Sequence, residues 1–72
     1  MAHFYVNRNE QPDGYHEVHN DTTGCSHPPL PENRVSIGNY NTSAEAVRAC
    51  KIANPALSID GCAYCCPESH TR

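Results

Sequence analysis

Five cysteines in a chain of only 72 residues constrain the fold more than any other feature of the sequence. A chain this short buries only about 60% of the surface that it exposes when unfolded, and small domains often need a disulfide, a metal or a second subunit. Three of the cysteines lie together in the segment Cys62-Ala63-Tyr64-Cys65-Cys66. Because hydrophobic residues make up only 38% of the chain, the core must be thin, and this segment is the first candidate for a cross-link.

The N-terminal half is predicted to hold three strands. Two segments with β-favouring residues, His3 to Asn7 and Tyr15 to His19, flank the turn Gln11-Pro12-Asp13-Gly14. In that turn Pro presets φ and Gly supplies the left-handed position, which indicates a hairpin. Alternating residues from Arg34 to Tyr40 predict the third strand.

The C-terminal half is predicted to hold one helix and one more extended segment. A capping box, Thr42-Ser43-Ala44-Glu45, predicts the helix start, and Pro55 ends the helical pattern near Asn54. Cys62 to Cys66 is then a fourth strand or a knuckle. The order is β-β-β-α-β, and the predicted fold class is α+β, a small antiparallel sheet of three to four strands with one helix packed on a face.

The chain is expected to form a single small domain over residues 1–72, because domains rarely fall below about 50 residues. Three prolines in the run His27-Pro28-Pro29-Leu30-Pro31 exclude regular helix and sheet, so residues 20–33 are predicted to be a proline-rich loop. A polar tail is predicted from residue 67.

Charge and hydropathy exclude two classes of partner. The formal net charge is −3 and the five Lys and Arg residues are scattered, so there is no basic stripe and we expect no nucleic-acid partner. No apolar run approaches the roughly 18 residues that span a bilayer, and the N-terminus lacks the regions of a signal peptide. We expect no membrane association and a cytoplasmic location, where thiols are kept reduced.

The spacing Cys62-x-x-Cys65 lets two sulfurs from one turn bind a tetrahedral metal ion. This is half of a site, and the remaining candidate ligands are Cys25, Cys66, His19 and His70. Three cysteines and one histidine from this group suit zinc, which is the predicted cofactor; a softer ion such as Cu(I) is the alternative. Because 36 residues lie between Cys25 and Cys62, more than the about 12 to 20 usual in zinc fingers, the fold would have to bring the proline-rich loop against the C-terminus.

Alternation along the predicted strands separates some of these candidates. Between Tyr15 and His19, Val18 and His16 share one face and His19 lies on the other, so His16 is expected to be packed and His19 is either a ligand or a surface residue. Cys65 and Cys66 point to opposite sides if the chain is extended, so at least one is exposed or liganded. Cys50 is interpreted as a buried residue of the helix.

Other uses of the cysteines remain open. An odd number of thiols in a reducing compartment disfavours a disulfide framework. Cys62-Ala63-Tyr64-Cys65 looks like a glutaredoxin-type couple, but too little chain follows for the helix of a thioredoxin fold, so a redox role would need another scaffold. A chain of this length can hardly wall a substrate cavity, so we expect no enzyme. The remaining alternative is a metal-free interaction module with packed, reduced thiols.

Several short tokens together resemble a group of small bacterial proteins of uncharacterised function. The tokens include Tyr5-Val6-Asn7, Glu17-Val18-His19, Cys25, Asp60-Gly61-Cys62, Cys65-Cys66 and His70. The resemblance implies a free-standing bacterial protein and does not choose between metal and redox chemistry. The partner is expected to be an unidentified protein or a second copy, since a thin core and short sheet edges favour pairing.

Overall fold

The computed structural model describes residues 1–71, in which four strands form one sheet and a helix packs on one of its faces. The strands are β1 (Ala2–Asn7), β2 (Tyr15–Asn20), β3 (Arg34–Tyr40) and β4 (Ser58–Gly61). The helix α1 spans Ser43–Ala53, and two short 3-10 helices cover Pro31–Asn33 and Pro67–Ser69. The predicted α+β class and element order are confirmed. No helix in this range is long and apolar enough to cross a bilayer.

The sheet is mixed, and this corrects the predicted antiparallel arrangement. The strand order is β3-β1-β2-β4; β1 is antiparallel to both of its neighbours, whereas β2 and β4 are parallel. The reason is the crossover made by α1, which returns the chain to the end of the sheet where β3 began. β4 therefore runs in the direction of β3, which is also the direction of β2. The fourth strand ends at Gly61 and leaves Cys62 to Cys66 outside it.

The helix covers the sheet face that alternation predicts to be apolar. Phe4, Val6, Val18 and Ile59 face α1 in the hydrophobic core, and the helix contributes Ala46, Val47 and Cys50. Cys50 is 1% exposed, as the helical pattern predicted.

The capping box predicted for α1 is present in part. The Thr42 hydroxyl accepts a hydrogen bond from the Glu45 N–H at 3.2 Å. Ser43 adds a contact that the sequence did not indicate, because its hydroxyl donates to the Glu68 carboxylate and lies 2.6 Å from the Ser69 hydroxyl. The hydrogen bond from Ser43 lowers the pKa of Glu68. The second 3-10 helix is thereby held against the start of α1.

The opposite sheet face positions the candidate site. Tyr5 in β1 lies between His19 of β2 and Ser36 of β3 in the strand register. His16, on the helix side of β2, is part-buried and its Nδ1 lies 3.0 Å from the Asn7 carbonyl oxygen, in line with the packed role expected for it. On the face that carries Tyr5, the segment after β2, which contains Cys25, lies against the turn after β4, which contains Cys62 and Cys65.

Candidate metal centre

Four side chains from three separate segments meet on this face. His19, Cys25, Cys62 and Cys65 place their ligand atoms within 4.8 Å of one another. The sulfurs of Cys25 and Cys62 are 3.7 Å apart, and the sulfur of Cys65 is 3.6 Å from Nδ1 of His19. All five cysteines are free thiols. The cluster is a group of three sulfurs and one imidazole that could hold one metal ion.

Two edges of the cluster have the lengths expected around a tetrahedral metal ion such as zinc. Zinc lies about 2.3 Å from a thiolate sulfur and about 2.0 to 2.1 Å from an imidazole nitrogen, which puts two sulfurs about 3.8 Å apart and a sulfur and a nitrogen about 3.6 Å apart. The corresponding distances here are 3.7 and 3.6 Å. Small side-chain adjustments would bring the remaining edges, which extend to at most 4.8 Å, to the same values.

Continuation of the β2–β4 pairing places Cys62 beside His19. The Cys62 N–H donates to the Val18 carbonyl at 2.9 Å, which extends the parallel ladder one residue beyond β4. The chain then turns, because the Cys66 N–H donates to the Cys62 carbonyl at 2.9 Å. We call this turn, Cys62 to Cys66, the knuckle. It returns Cys65 to the same side as Cys62.

Backbone N–H groups point at the sulfurs of the knuckle. The Tyr64 N–H lies 3.4 Å from the sulfur of Cys62, and the Asn20 N–H lies 3.4 Å from the sulfur of Cys65. A donor of this kind stabilises a thiolate more than a thiol, because the charged sulfur is the stronger acceptor. The knuckle therefore provides, before any metal binds, part of the stabilisation that bound thiolates need.

Cys25 reaches the cluster through a tight turn that follows β2. The side-chain oxygen of Asn20 accepts hydrogen bonds from the N–H groups of Thr22 and Thr23, at 3.0 and 3.1 Å. Gly24 follows with a φ of 79°, a left-handed conformation that glycine adopts without strain. Further along, the His27 ring packs on the Tyr64 ring with centroids 4.0 Å apart. The proline-rich loop is thus held against the knuckle, which closes the long gap between Cys25 and Cys62.

Aromatic stacking fixes the plane of the His19 imidazole. The rings of His19 and Tyr5 are 5.3 Å apart and inclined by 18°. The guanidinium of Arg34 lies over the Tyr5 ring at 5.1 Å, and its Nε and Nη2 both donate to the Pro29 carbonyl. The stack connects the histidine to the proline-rich loop and places a cation near a site whose three thiolates and one zinc ion would carry a net charge of −1.

Burial favours the neutral forms of His19, Cys62 and Cys65. It raises the pKa of the Cys62 and Cys65 thiols, and only part of this effect is offset by the backbone N–H donors. Burial also lowers the pKa of His19; Arg34 acts in the same direction and Glu17 opposes it. A buried neutral imidazole has a lone pair free for a metal, and the thiols can bind once they lose their protons.

The structure separates the six predicted ligands into two groups. Cys66 is fully buried in the hydrophobic core beneath the helix, where burial raises the pKa of its thiol to about 11. Nδ1 of His70 lies 3.1 Å from the Gly61 carbonyl oxygen and 3.4 Å from a carboxylate oxygen of Asp60. Cys66 therefore belongs to the core, whereas Cys65, which is only part-buried, lies in the cluster. The segment is a turn rather than an extended strand, so alternation does not apply to it. His19 rather than His70 lies with the cysteines.

Two supporting residues were missed at the level of sequence. Asn20 shapes the turn that delivers Cys25, and Tyr5 stacks on the histidine ligand. The run from Asn20 to Gly24, Asn-Asp-Thr-Thr-Gly, is typical of a turn stabilised by an Asn side chain, and it could have revealed the first. No local signal identifies the second, because Tyr5 reaches His19 only through the strand register.

No protein-family model matches the chain, and no curated protein or solved structure matches it. The resemblance to small bacterial proteins therefore stays a prediction. The fold and the site define the class: a small α+β protein with a His/Cys3 cluster that could hold a metal ion.

Proposed function

We propose that this chain is a non-enzymatic, cytoplasmic protein whose fold is completed by one structural zinc ion. Its ligands would be His19, Cys25, Cys62 and Cys65. The observation that carries the proposal is the agreement of the Cys25–Cys62 and Cys65–His19 distances, 3.7 and 3.6 Å, with the edges of a zinc tetrahedron. A sulfur-rich tetrahedral set of this kind is typical of zinc.

The number of ligands supports a structural ion over a catalytic one. Catalytic zinc usually has three protein ligands and keeps a fourth position for water or substrate, whereas structural zinc has four protein ligands. Here four side chains rather than three place a ligand atom within 4.8 Å of one another. They also come from β2, from the loop after β2 and from the knuckle, so that one ion would connect three separate segments of the chain.

Metal binding would then contribute directly to folding. Structural zinc sites in small domains provide about 10 to 16 kcal/mol of apparent binding free energy near pH 7. The hydrophobic core lies on the helix side of the sheet and includes Cys66, whereas the proline-rich loop and the sulfurs of Cys62 and Cys65 meet on the other side. We expect the loss of zinc to release the loop and the knuckle first, because the ion is the main connection between them.

Native mass spectrometry tests the proposal most directly. The chain would be purified without chelator and measured in reducing buffer, and we expect a mass increment of one zinc per chain that chelator removes together with the native fold. X-ray absorption at the zinc edge should then show three sulfur neighbours and one nitrogen. A folded chain with the bare mass and five free thiols would overturn the proposal and leave the metal-free interaction module as the function.

A further inference from the structure

The sheet face that holds the candidate metal centre also carries a second hydrogen-bonded group. Nδ1 of His3 lies 3.3 Å from a carboxylate oxygen of Asp21, and Nε2 of the same ring lies 2.7 Å from the hydroxyl oxygen of Ser36. None of these residues belongs to the metal cluster. A carboxylate, an imidazole and a hydroxyl connected in this order form the arrangement that activates serine as a nucleophile, and it is recognised by geometry rather than by fold.

The carboxylate determines which imidazole nitrogen carries the proton. An ionised carboxylate only accepts hydrogen bonds, so Nδ1 of His3 donates to Asp21. In the neutral ring the lone pair is then on Nε2, which accepts from the Ser36 hydroxyl. The imidazole is thereby oriented to take the proton of the serine, which is the task of a general base.

The backbone holds this group together from both sides of β1. The His3 N–H donates to the Thr22 hydroxyl at 2.9 Å, and the Asp21 N–H donates to the His3 carbonyl at 2.8 Å. On the other side, the β1–β3 register shifts between Phe4 and Tyr5, which brings Ser36 within reach of the histidine. Irregularities of this kind are over-represented next to active sites, because they redirect a side chain.

We propose that Ser36 is a nucleophile that accepts an acyl group from activated acyl donors, namely aryl esters and thioesters. His3 is its general base and Asp21 is a positioning residue. Ser36 is solvent-exposed, and the His3 and Asp21 side chains are 37% and 49% exposed. Because all three side chains are open to solvent, a good leaving group rather than a particular shape defines the donor.

The transfer needs no co-reactant beyond the acyl donor. A bond forms between Oγ of Ser36 and the acyl carbon while the bond from that carbon to the leaving oxygen or sulfur breaks. The proton of Oγ passes to Nε2 of His3 and from there to the leaving group. The products are an acyl ester of Ser36 and a free phenol or thiol. This acceptor role goes beyond the structural zinc and does not depend on it, apart from the fold that both share.

The chain contains a matched control in Ser26. Its hydroxyl oxygen lies 3.0 Å from Nδ1 of His27, so this serine also has an imidazole within hydrogen-bond distance. The His27 ring packs on Tyr64, and within residues 1–71 no carboxylate is seen to contact it. A comparison of Ser36 with Ser26 in one sample therefore isolates the contribution of the complete group.

The experiment uses the full chain as purified, in reducing buffer, and an alkyl fluorophosphonate, which forms a stable bond to activated serines, with tandem mass spectrometry to locate the label. We expect Ser36 to be labelled about 100-fold faster than Ser26, the lower end of the range for general-base assistance. With p-nitrophenyl acetate, we expect a rapid release of p-nitrophenolate that Ser36→Ala abolishes. Equal labelling of the two serines, or a release that Ser36→Ala leaves unchanged, would overturn the proposal.

Two substitutions at Asp21 test its positioning role. Asp21→Asn replaces the acceptor oxygen by an amide that can hold His3 in the wrong tautomer, and it should slow labelling of Ser36 to the rate of Ser26. Asp21→Glu keeps the carboxylate and should restore part of the rate, which a purely structural effect would not do. Because the side chain is on the surface, both variants should keep their zinc and their thermal midpoint. Unchanged labelling in Asp21→Asn would contradict the role given to Asp21.

Discussion

The sulfur of Cys25 lies 3.7 Å from the sulfur of Cys62, although the two residues are 37 positions apart in the chain. Closing a loop of this length costs conformational entropy, and that cost grows only slowly with each added residue. Two thiols would gain little from such an approach if they were merely packed. A metal ion shared by both would offset the cost, and the short distance therefore supports the proposal that the pair is one edge of a coordination site.

Substitution of one proposed ligand should show whether the cysteines of the cluster bind zinc or are only packed together. We expect Cys25→Ser to lower zinc affinity by more than about 100-fold, the upper end of the effect found for residues that only support a ligand. The matched control is Cys50→Ala, since Cys50 is buried under the helix and away from the cluster. Competition with a chromophoric chelator measures both variants.

The control variant should keep one zinc per chain with the affinity of the unsubstituted protein. It should lose some stability, because removal of a buried sulfur leaves a small cavity. Equal zinc affinity in Cys25→Ser and Cys50→Ala would be incompatible with the proposed ligand set.

The two candidate histidines give a second test. His19→Ala should lose tight zinc binding, whereas His70→Ala should retain it, because His70 contacts Asp60 and the Gly61 carbonyl rather than the cluster. His19→Cys supplies a fourth thiolate and should bind zinc again, since four cysteines form an equally common structural site.

Cobalt substitution provides the readout for these three variants. A tetrahedral cobalt site absorbs in the visible range, and its spectrum shifts when a nitrogen ligand is replaced by sulfur. We expect the shift in His19→Cys and an unshifted spectrum in His70→Ala. If only His70→Ala lost the tetrahedral spectrum, His70 rather than His19 would be the ligand, and the proposed ligand set would be wrong.

Local signals in the sequence were sufficient for the helix, for the first three strands and for half of the site, but not for the bounds of β4. The capping box at Thr42 and Pro55 bracket the helix, because caps and breakers act over a few residues. The Cys62-x-x-Cys65 spacing identified the knuckle for the same reason.

Long-range geometry was beyond the reach of the sequence. The parallel pairing of β4 with β2 depends on the path of α1 across the sheet, and hydrophobic patterning alone does not specify strand direction. Which histidine lies next to the cysteines depends on the path of the chain: the fold places Cys65 beside His19 and not beside His70. The hydrogen bond between Ser36 and His3 depends on a register shift in β1–β3. Gly38, with a φ of 105°, could have indicated the irregularity but not which side chains it brings together.

Zinc binding should release protons. Burial raises the pKa of the Cys62 and Cys65 thiols, so in the metal-free protein at pH 7 both carry protons that must leave before the sulfurs bind. The lowered pKa of His19 means that the imidazole is already neutral and contributes none. We therefore expect at least about two protons per zinc, and a zinc affinity that falls about 100-fold or more from pH 7 to pH 6.

Calorimetric titration in two buffers with different ionisation enthalpies counts these protons. Zinc affinity should fall as the pH falls, because thiols with raised pKa values hold their protons more strongly and a metal ion must displace them. Cys50→Ala should release the same number, because its thiol is not a ligand. Zinc binding without proton release would exclude thiolate ligands.

Substitution of Gly61 should destabilise the C-terminal segment. A Cβ atom at this position would lie 2.7 Å from Cβ of Ser69, 2.9 Å from the Ser69 carbonyl carbon and 3.0 Å from the Cys66 carbonyl oxygen. Two of these atoms belong to backbone, so the segment cannot move aside without disturbing the knuckle. We expect Gly61→Ala to lower the free energy of unfolding by about 1 to 3 kcal/mol, the usual cost of overpacking.

The effect of Gly61→Ala should also reach the metal, since Cys62 follows Gly61 directly. Urea denaturation of the zinc-loaded protein gives the change in stability, and chelator competition gives the change in zinc affinity. Ser58→Ala is the control, because Ser58 lies at the exposed start of the same strand and should change neither quantity by much. If Gly61→Ala were as stable as Ser58→Ala, the close packing of Ser69 on β4 would be contradicted, and residues from 67 onward would behave as the polar tail that the sequence predicted.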